Sequence, residues 1–187
     1  PDTYPTKADY LQAFAQFARQ SQHIIMWPDD DTISKAASNS WVLQASEVQQ
    51  FSLPGEHNRR NATLVSKGVE YLRINRGDVH EIIDRFPGTS RRFERLAQNL
   101  YSDYGHHPKE IAATLQMARE LSEHVVLVYQ PHQNVRQHEI KDAYTDCFEL
   151  AEEIYWLPTY LSREDPELPV LTPQQLSQNI SNKSSVH

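Results

Sequence analysis

The sequence predicts an α/β protein whose C-terminal part is a doubly wound, mostly parallel, Rossmann-like sheet. Three stretches carry that expectation. Tyr101-Ser102-Asp103-Tyr104-Gly105-His106-His107-Pro108 is a β-type segment that breaks at a glycine and enters a helix at a proline. His124-Val125-Val126-Leu127-Val128-Tyr129 is a continuous apolar, β-branched run, as expected for a strand covered on both faces, and it ends in Gln130-Pro131-His132. Glu153-Ile154-Tyr155-Trp156-Leu157 repeats the pattern and ends in Pro158-Thr159-Tyr160. Strands alternating with helices imply a parallel sheet, which binds ligands outside the carboxyl ends of its strands. The three polar turns are therefore expected to share one edge.

The elements follow in order. Lys7 to Arg19 places Tyr10, Leu11, Phe14, Phe17 and Ala18 on one helical face, and His23 to Trp27 has the pattern of a strand ending in Pro28-Asp29-Asp30-Asp31. Residues 32 to 50 are rich in Ser, Asn and Gln and weakly patterned. Leu53-Pro54-Gly55-Glu56-His57-Asn58 turns into a helix that runs to about Leu72, and Val79, Ile82, Ile83 and Phe86 mark a shorter one. Pro87-Gly88-Thr89-Ser90 punctuates the chain, so a domain boundary is expected there, dividing 1–86 from 87–180. Pro108 suits a first helical turn, where its missing N–H would be unpaired anyway, and Lys109 to Ser122 follows with helical spacing. A further helix is expected from about Arg136 to Leu150, and the polar tail 181–187 is expected to fray.

Composition narrows the partners. The formal charge is −7 over 187 residues, so no nucleic-acid partner is expected. No apolar run approaches the roughly 20 residues that cross a bilayer, no signal-peptide pattern opens the chain, and a cytoplasmic, membrane-free protein is expected. The single cysteine, Cys147, excludes an internal disulfide and a cysteine-based zinc cluster, and is expected to be a small buried hydrophobe. His106, His107 and His132 could gather at the sheet edge as an imidazole site, although no carboxylate or cysteine stands at familiar ligand spacing. Pro1-Asp2-Thr3-Tyr4 opens without methionine, and the chain is expected to be a fragment. It has no G-x-x-x-x-G-K-[ST] loop, so any triphosphate cradle of a longer parent is expected upstream.

Four motifs carry a resemblance. Leu53-Pro54-Gly55-Glu56-His57-Asn58-Arg59-Arg60-Asn61-Ala62, Gly88-Thr89-Ser90-Arg91-Arg92-Phe93-Glu94, Asp103-Tyr104-Gly105-His106-His107-Pro108-Lys109-Glu110-Ile111 and Tyr129-Gln130-Pro131-His132 resemble, in order, the landmarks of the Mur ligases. Asp2-Thr3-Tyr4 resembles the stretch just after that family's magnesium-binding histidine. The resemblance implies the second half of a central ATPase domain followed by the C-terminal domain. It implies an enzyme that uses ATP and Mg2+ to activate the carboxylate of UDP-N-acetylmuramate as an acyl phosphate, which an amino acid's amine attacks.

By the same resemblance, His57, Asn58 and Asn61 approach adenine, Arg92 reaches the ATP phosphates, and Asp103 lies near the ribose. Tyr104 and His106 line the amino-acid site, with His106 and Arg92 placed at the chemistry. Read from the residues alone, Asn58 could simply cap its helix, His57 could pack beside it, and Arg91, Arg92, Glu94 and Arg95 could be a solvated charge run. One departure matters. Where the alanine-adding branch of the family follows Q-P-H with arginine, two residues and a second arginine, this chain has Gln133 and Arg136. Losing one charged donor is expected to weaken carboxylate binding by about 1.5–3 kcal/mol. The branch that attaches a recycled murein tripeptide, and a non-catalytic module derived from the ligase, are the alternatives. The stretch between Asp31 and Phe51 is also shorter than the family's usual insert.

Overall fold

The computed structural model describes residues 4–29, 40–74 and 77–187. The Asp2-Thr3 resemblance and residues 31–39 of the shortened 31–51 stretch lie outside the described residues. The chain forms two compact units, one of Pro1–Leu53 with Asn58–Arg85, the other of Pro54–His57 with Phe86–His187.

In the first unit, α1 (Lys7–Gln20) starts at a reciprocal cap in which Thr6 Oγ1 accepts the Asp9 N–H and Asp9 accepts the Thr6 N–H. Strand β1 (Ile24–Met26) pairs in parallel with β2 (Ser40–Val42), a strand that the weak patterning of residues 32–50 concealed. Helix α2 (Glu56–Tyr71) carries Arg60 over the Trp27 ring, 4.8 Å from its centroid, and Lys67 over Trp41, at 5.0 Å. Helix α3 (Val79–Asp84) is capped by Asp78, whose carboxylate accepts the N–H groups of His80 and Glu81.

The second unit opens with an antiparallel hairpin, β3 (Glu94–Ala97) and β4 (Leu100–Ser102). This corrects one expectation, because the strand before Asp103 belongs to the hairpin and is not part of a parallel sheet. Helix α4 (Pro108–Leu121) follows, then β5 (Val126–Tyr129), which pairs in parallel with β6 (Glu153–Trp156). Between them the expected 15-residue helix is only α5 (Asn134–Ile140), continued by a 3-10 turn over Lys141–Tyr144. The break draws Tyr144 into the core, where it is fully buried with Phe148 and Ile154. Helix α6 (Pro173–Leu176) closes the unit, with Thr172 and Gln175 capping one another's backbone. The tail is tied down: the His187 N–H donates to the Ile154 carbonyl (2.8 Å) and Val186 bridges Ile154 in parallel, beginning a further strand position beside β6.

Tyr129, Tyr144, Phe148 and Trp156 form the centre of this unit's core, with ring centroids 4.9 to 6.2 Å apart. Cys147 is buried beside them, and burial pushes its thiol up to about 12. Only one face of the strand pair is covered. Val126 and Val128 remain 57% and 64% exposed, so the expectation of burial on both faces fails for β5. A continuous apolar run does not distinguish a strand with one covered face from one with two. Phe148→Ala should lower stability by about 3–5 kcal/mol by emptying the centre of the aromatic cluster, measured as a lower denaturant midpoint for the second unit.

Candidate functional site

The turns after β4, β5 and β6 come together through ring contacts, although β4 lies in the hairpin and shares no sheet edge with β5 and β6. Tyr104 meets His132 edge to face at 6.2 Å, and His132 stacks on Tyr160 at 5.1 Å. Backbone bonds fasten the last two turns together: the Gln133 N–H donates to the Tyr160 carbonyl (2.9 Å) and the Tyr160 N–H to the Pro131 carbonyl (2.8 Å).

The first turn is built around two carboxylates. Asp103 accepts the Phe93 N–H (2.8 Å), the Gly105 N–H (2.6 Å) and the Thr114 hydroxyl (3.1 Å), which locks the hairpin to the middle of α4. It also holds Phe93 at a positive φ of 50°. A side chain at Gly105 would press within 2.8 Å of that carboxylate, so the glycine is required for space. Glu110 accepts the N–H groups of both His106 (3.0 Å) and His107 (3.2 Å), while His107 Nδ1 accepts the Lys109 N–H. This is a capping box with histidine at the position usually taken by Ser or Thr. Partial burial raises the Glu110 carboxyl, but these two N–H groups and the charges of His106 and Arg92 outweigh it and leave it below its ordinary value.

The side chains gathered at these turns are mostly basic or aromatic. His106 Nδ1 lies 3.0 Å from the Tyr104 carbonyl. A carbonyl can only accept, so Nδ1 carries the proton and Nε2 of the neutral ring keeps a lone pair. Tyr104 is 44% exposed, with Arg91 above its ring at 6.0 Å. Burial and the neighbouring Arg136 and His106 lower the proton affinity of His132, against the opposing pull of Glu164. Arg136 sits on the first turn of α5, half-buried, and Gln133 is that helix's N-cap, at φ +66° and without a side-chain cap bond. Arg92 is exposed on the turn before β3.

His57, Asn58 and Asn61 lie on the first two turns of α2, with Asn61 exposed. Among the described residues no group of three or more His, Cys, Asp or Glu could hold a metal ion, so the imidazole-site alternative for His106, His107 and His132 does not form. His107 is engaged in its cap. No helix among the described residues is long and apolar enough to cross a membrane.

Sequence reasoning missed Tyr160 and Glu164 at this edge and weighed His132 only as a metal ligand. Glu164 accepts the Ser162 N–H (2.7 Å) and the Val135 N–H (3.2 Å), so it caps α5 from 29 positions away in place of Gln133. No local pattern announces such a contact. The resemblance of Tyr129-Gln130-Pro131-His132 was the available signal for His132.

No family model matches the chain. The UDP-N-acetylmuramate–L-alanine ligase of Paracoccus denitrificans is 36% identical over 137 residues, 71% of this chain and 29% of the ligase. That of Jannaschia sp. is 36% identical over 119 residues, 61% of this chain and 25% of the ligase. The chain belongs to the Mur ligase family. It spans between a quarter and three-tenths of the length of these curated relatives. The crystal structure of UDP-N-acetylmuramate-alanine ligase from Thermotoga maritima superposes with a TM-score of 0.63 at 22% identity, covering 83% of this chain and 42% of that one. The α/β fold with small parallel sheets is thus that of a Mur ligase.

Two outcomes are expected from the turn before α4. Asp103→Ala should speed amide exchange at Phe93 and Gly105, whose N–H groups lose their acceptor. Because the Glu110 carboxyl is depressed in the folded state, its contribution to stability is complete above the ordinary value of 4.5 and is lost as pH falls through and below it. Protection of the His106 and His107 amides, taken relative to their intrinsic exchange rates at each pH, should fall over that acid range in the parent chain, and already at neutral pH in Glu110→Ala.

Proposed function

We propose that this chain is a segment of an ATP-dependent ligase that joins L-alanine, or another small amino acid, to the carboxylate of UDP-N-acetylmuramate. The observation that carries the reading is the convergence of Tyr104, His106, His132 and Arg136 at the ends of β4 and β5. Arg136 offers a bidentate donor for an amino acid's carboxylate. In its neutral form the His106 ring offers an Nε2 acceptor for a proton leaving the attacking amine. Tyr104 and His132 give the small side chain an aromatic wall.

The first unit is assigned to the later part of the ATP-binding domain. The second is assigned to the C-terminal domain, whose β5–α5–β6 crossover is one repeat of a doubly wound sheet. When bound, ATP supplies the phosphoryl group that activates the muramate carboxylate. His57, Asn58 and Asn61 fit the adenine end, since Asn58 and Asn61 stand three residues apart on one helix and each amide presents both a donor and an acceptor. Arg92, exposed and cationic, fits the phosphates, and Asp103 lies on the same turn as the amino-acid site. No described cluster fits magnesium, and no step is assigned to it.

Gln133 supports a second reading. Without a cation at this place, and with Tyr104 and Tyr160 both open to solvent, the site would also accept the amine end of a murein tripeptide.

Phosphate release by the full-length protein, with UDP-N-acetylmuramate and ATP, decides between them. Release with a free amino acid supports the first reading, release only with tripeptide the second, and none with any acceptor a binding module. In an alanine-active enzyme, His106→Ala should raise the alanine KM or lower kcat while the fold persists. Gln133→Arg should lower the alanine KM by roughly tenfold or more.

A further inference from the structure

The α5 N-terminus bends sharply at Gln133, and one buried amide lies behind it. Gln137 is 0% exposed. Its Oε1 accepts the Tyr144 hydroxyl at 2.5 Å, and its Nε2 donates to the His132 carbonyl at 3.2 Å. The amide's orientation is forced, because the His132 carbonyl is only an acceptor and must face the NH2 group. Tyr144 spends its proton on Gln137, so at the 2.9 Å contact between the two phenols Tyr129 is the donor. A single directed relay therefore runs from Tyr129 through Tyr144 and Gln137 to the backbone of His132.

The relay ends where the backbone is strained. Gln133 adopts φ +66° and ψ 114°, outside the regions that side chains other than glycine favour. This turns the peptide between His132 and Gln133 so that its N–H reaches the Tyr160 carbonyl and its C=O points inward. A buried carbonyl without a donor is costly, so the inward orientation depends on a donor beneath it.

We propose that Gln137 is a positioning residue for the amino-acid site: by holding the His132 carbonyl inward it keeps the His132 ring on Tyr160 and sets the turn from which Arg136 projects. The assignment of a substrate rests on the ligase reading above, whereas the geometry of the turn does not. An apolar residue at this buried place would leave both the Tyr144 hydroxyl and the His132 carbonyl without their Gln137 partner. The polar one is explained by the two groups it satisfies.

The test combines spectroscopy on this chain with kinetics on the full-length protein that carries it. Gln137→Met keeps the length and burial of the side chain and removes both hydrogen bonds. The His132 ring resonance, set by the ring current of Tyr160, should move, while that of the exposed His124 stays. The amino-acid KM should rise about tenfold with kcat and the ATP KM within about twofold. A lower melting temperature with an unmoved His132 resonance and an unchanged amino-acid KM would show a purely structural amide and overturn the proposal. If Gln137→Met does not fold, Tyr144→Phe decides, since it removes the hydroxyl that orients the Gln137 amide through Oε1, along with the acceptor for Tyr129; an unmoved His132 resonance in that variant overturns the proposal too. A wild-type protein with no turnover on any acceptor removes the ligase reading alone, because the His132 resonance still reports whether Gln137 sets the turn.

Discussion

The Tyr144 hydroxyl sits where the aromatic core of the second unit meets the polar edge of its sheet, and both depend on how it is satisfied. Packing of Tyr144 against Phe148 and Trp156 excludes water from the hydroxyl. A buried hydroxyl needs a partner, and the partner is Gln137. Burial pushes the Tyr144 hydroxyl up to about 12, and burial together with Tyr144 pushes Tyr129 higher still. Both phenols therefore remain neutral donors at any ordinary pH, and the direction of the relay does not titrate. The core that stabilises the sheet thereby dictates the backbone orientation at His132.

The same edge shows how an acidic chain can present a surface suited to anions. The formal charge is −7, yet the carboxylates beside the site are occupied internally. Asp103 accepts three donors, Glu110 two backbone N–H groups, and Glu164 two more. Backbone amides offset the local negative charge at these places, much as a helix N-terminus does. Arg91, Arg92, Arg136 and the imidazoles of His106 and His132 are left to define the outward chemistry. On the ligase reading proposed above, an activated carboxylate and an amino acid's carboxylate both carry charge that such a surface would favour.

Local signals in the sequence were sufficient for the turn before α4. Gly105, Pro108 and Glu110 lie within six residues, and each has a distinct steric or capping reason to be there. The hairpin strand β3 was not legible, since Glu94, Arg95 and Leu96 show no alternation and the strand's outer residues stay exposed. Strand β2 is only three residues long and stands in a polar stretch. The early end of α5 was hidden because Lys141 to Tyr144 continues a helical pattern, and it is tertiary packing of Tyr144 that ends the helix. Tyr160 and Glu164 reach the site through pairings more than twenty residues apart, which no window of sequence displays.

Position 133 separates two requirements that usually coincide. Its backbone is fixed by the Tyr160 carbonyl on one side and, through His132, by Gln137 on the other. Its side chain makes no cap bond, because Glu164 already supplies the acceptor for the first turn of α5. The identity of residue 133 is therefore free of any capping duty, and a charged or a neutral side chain can stand there on the same backbone. Arg136, one turn further, keeps a cation at the edge in either case. On the ligase reading proposed above, the choice at 133 would tune how strongly the edge holds an anion on an unchanged backbone, so that glutamine there bears on the acceptor rather than on capping.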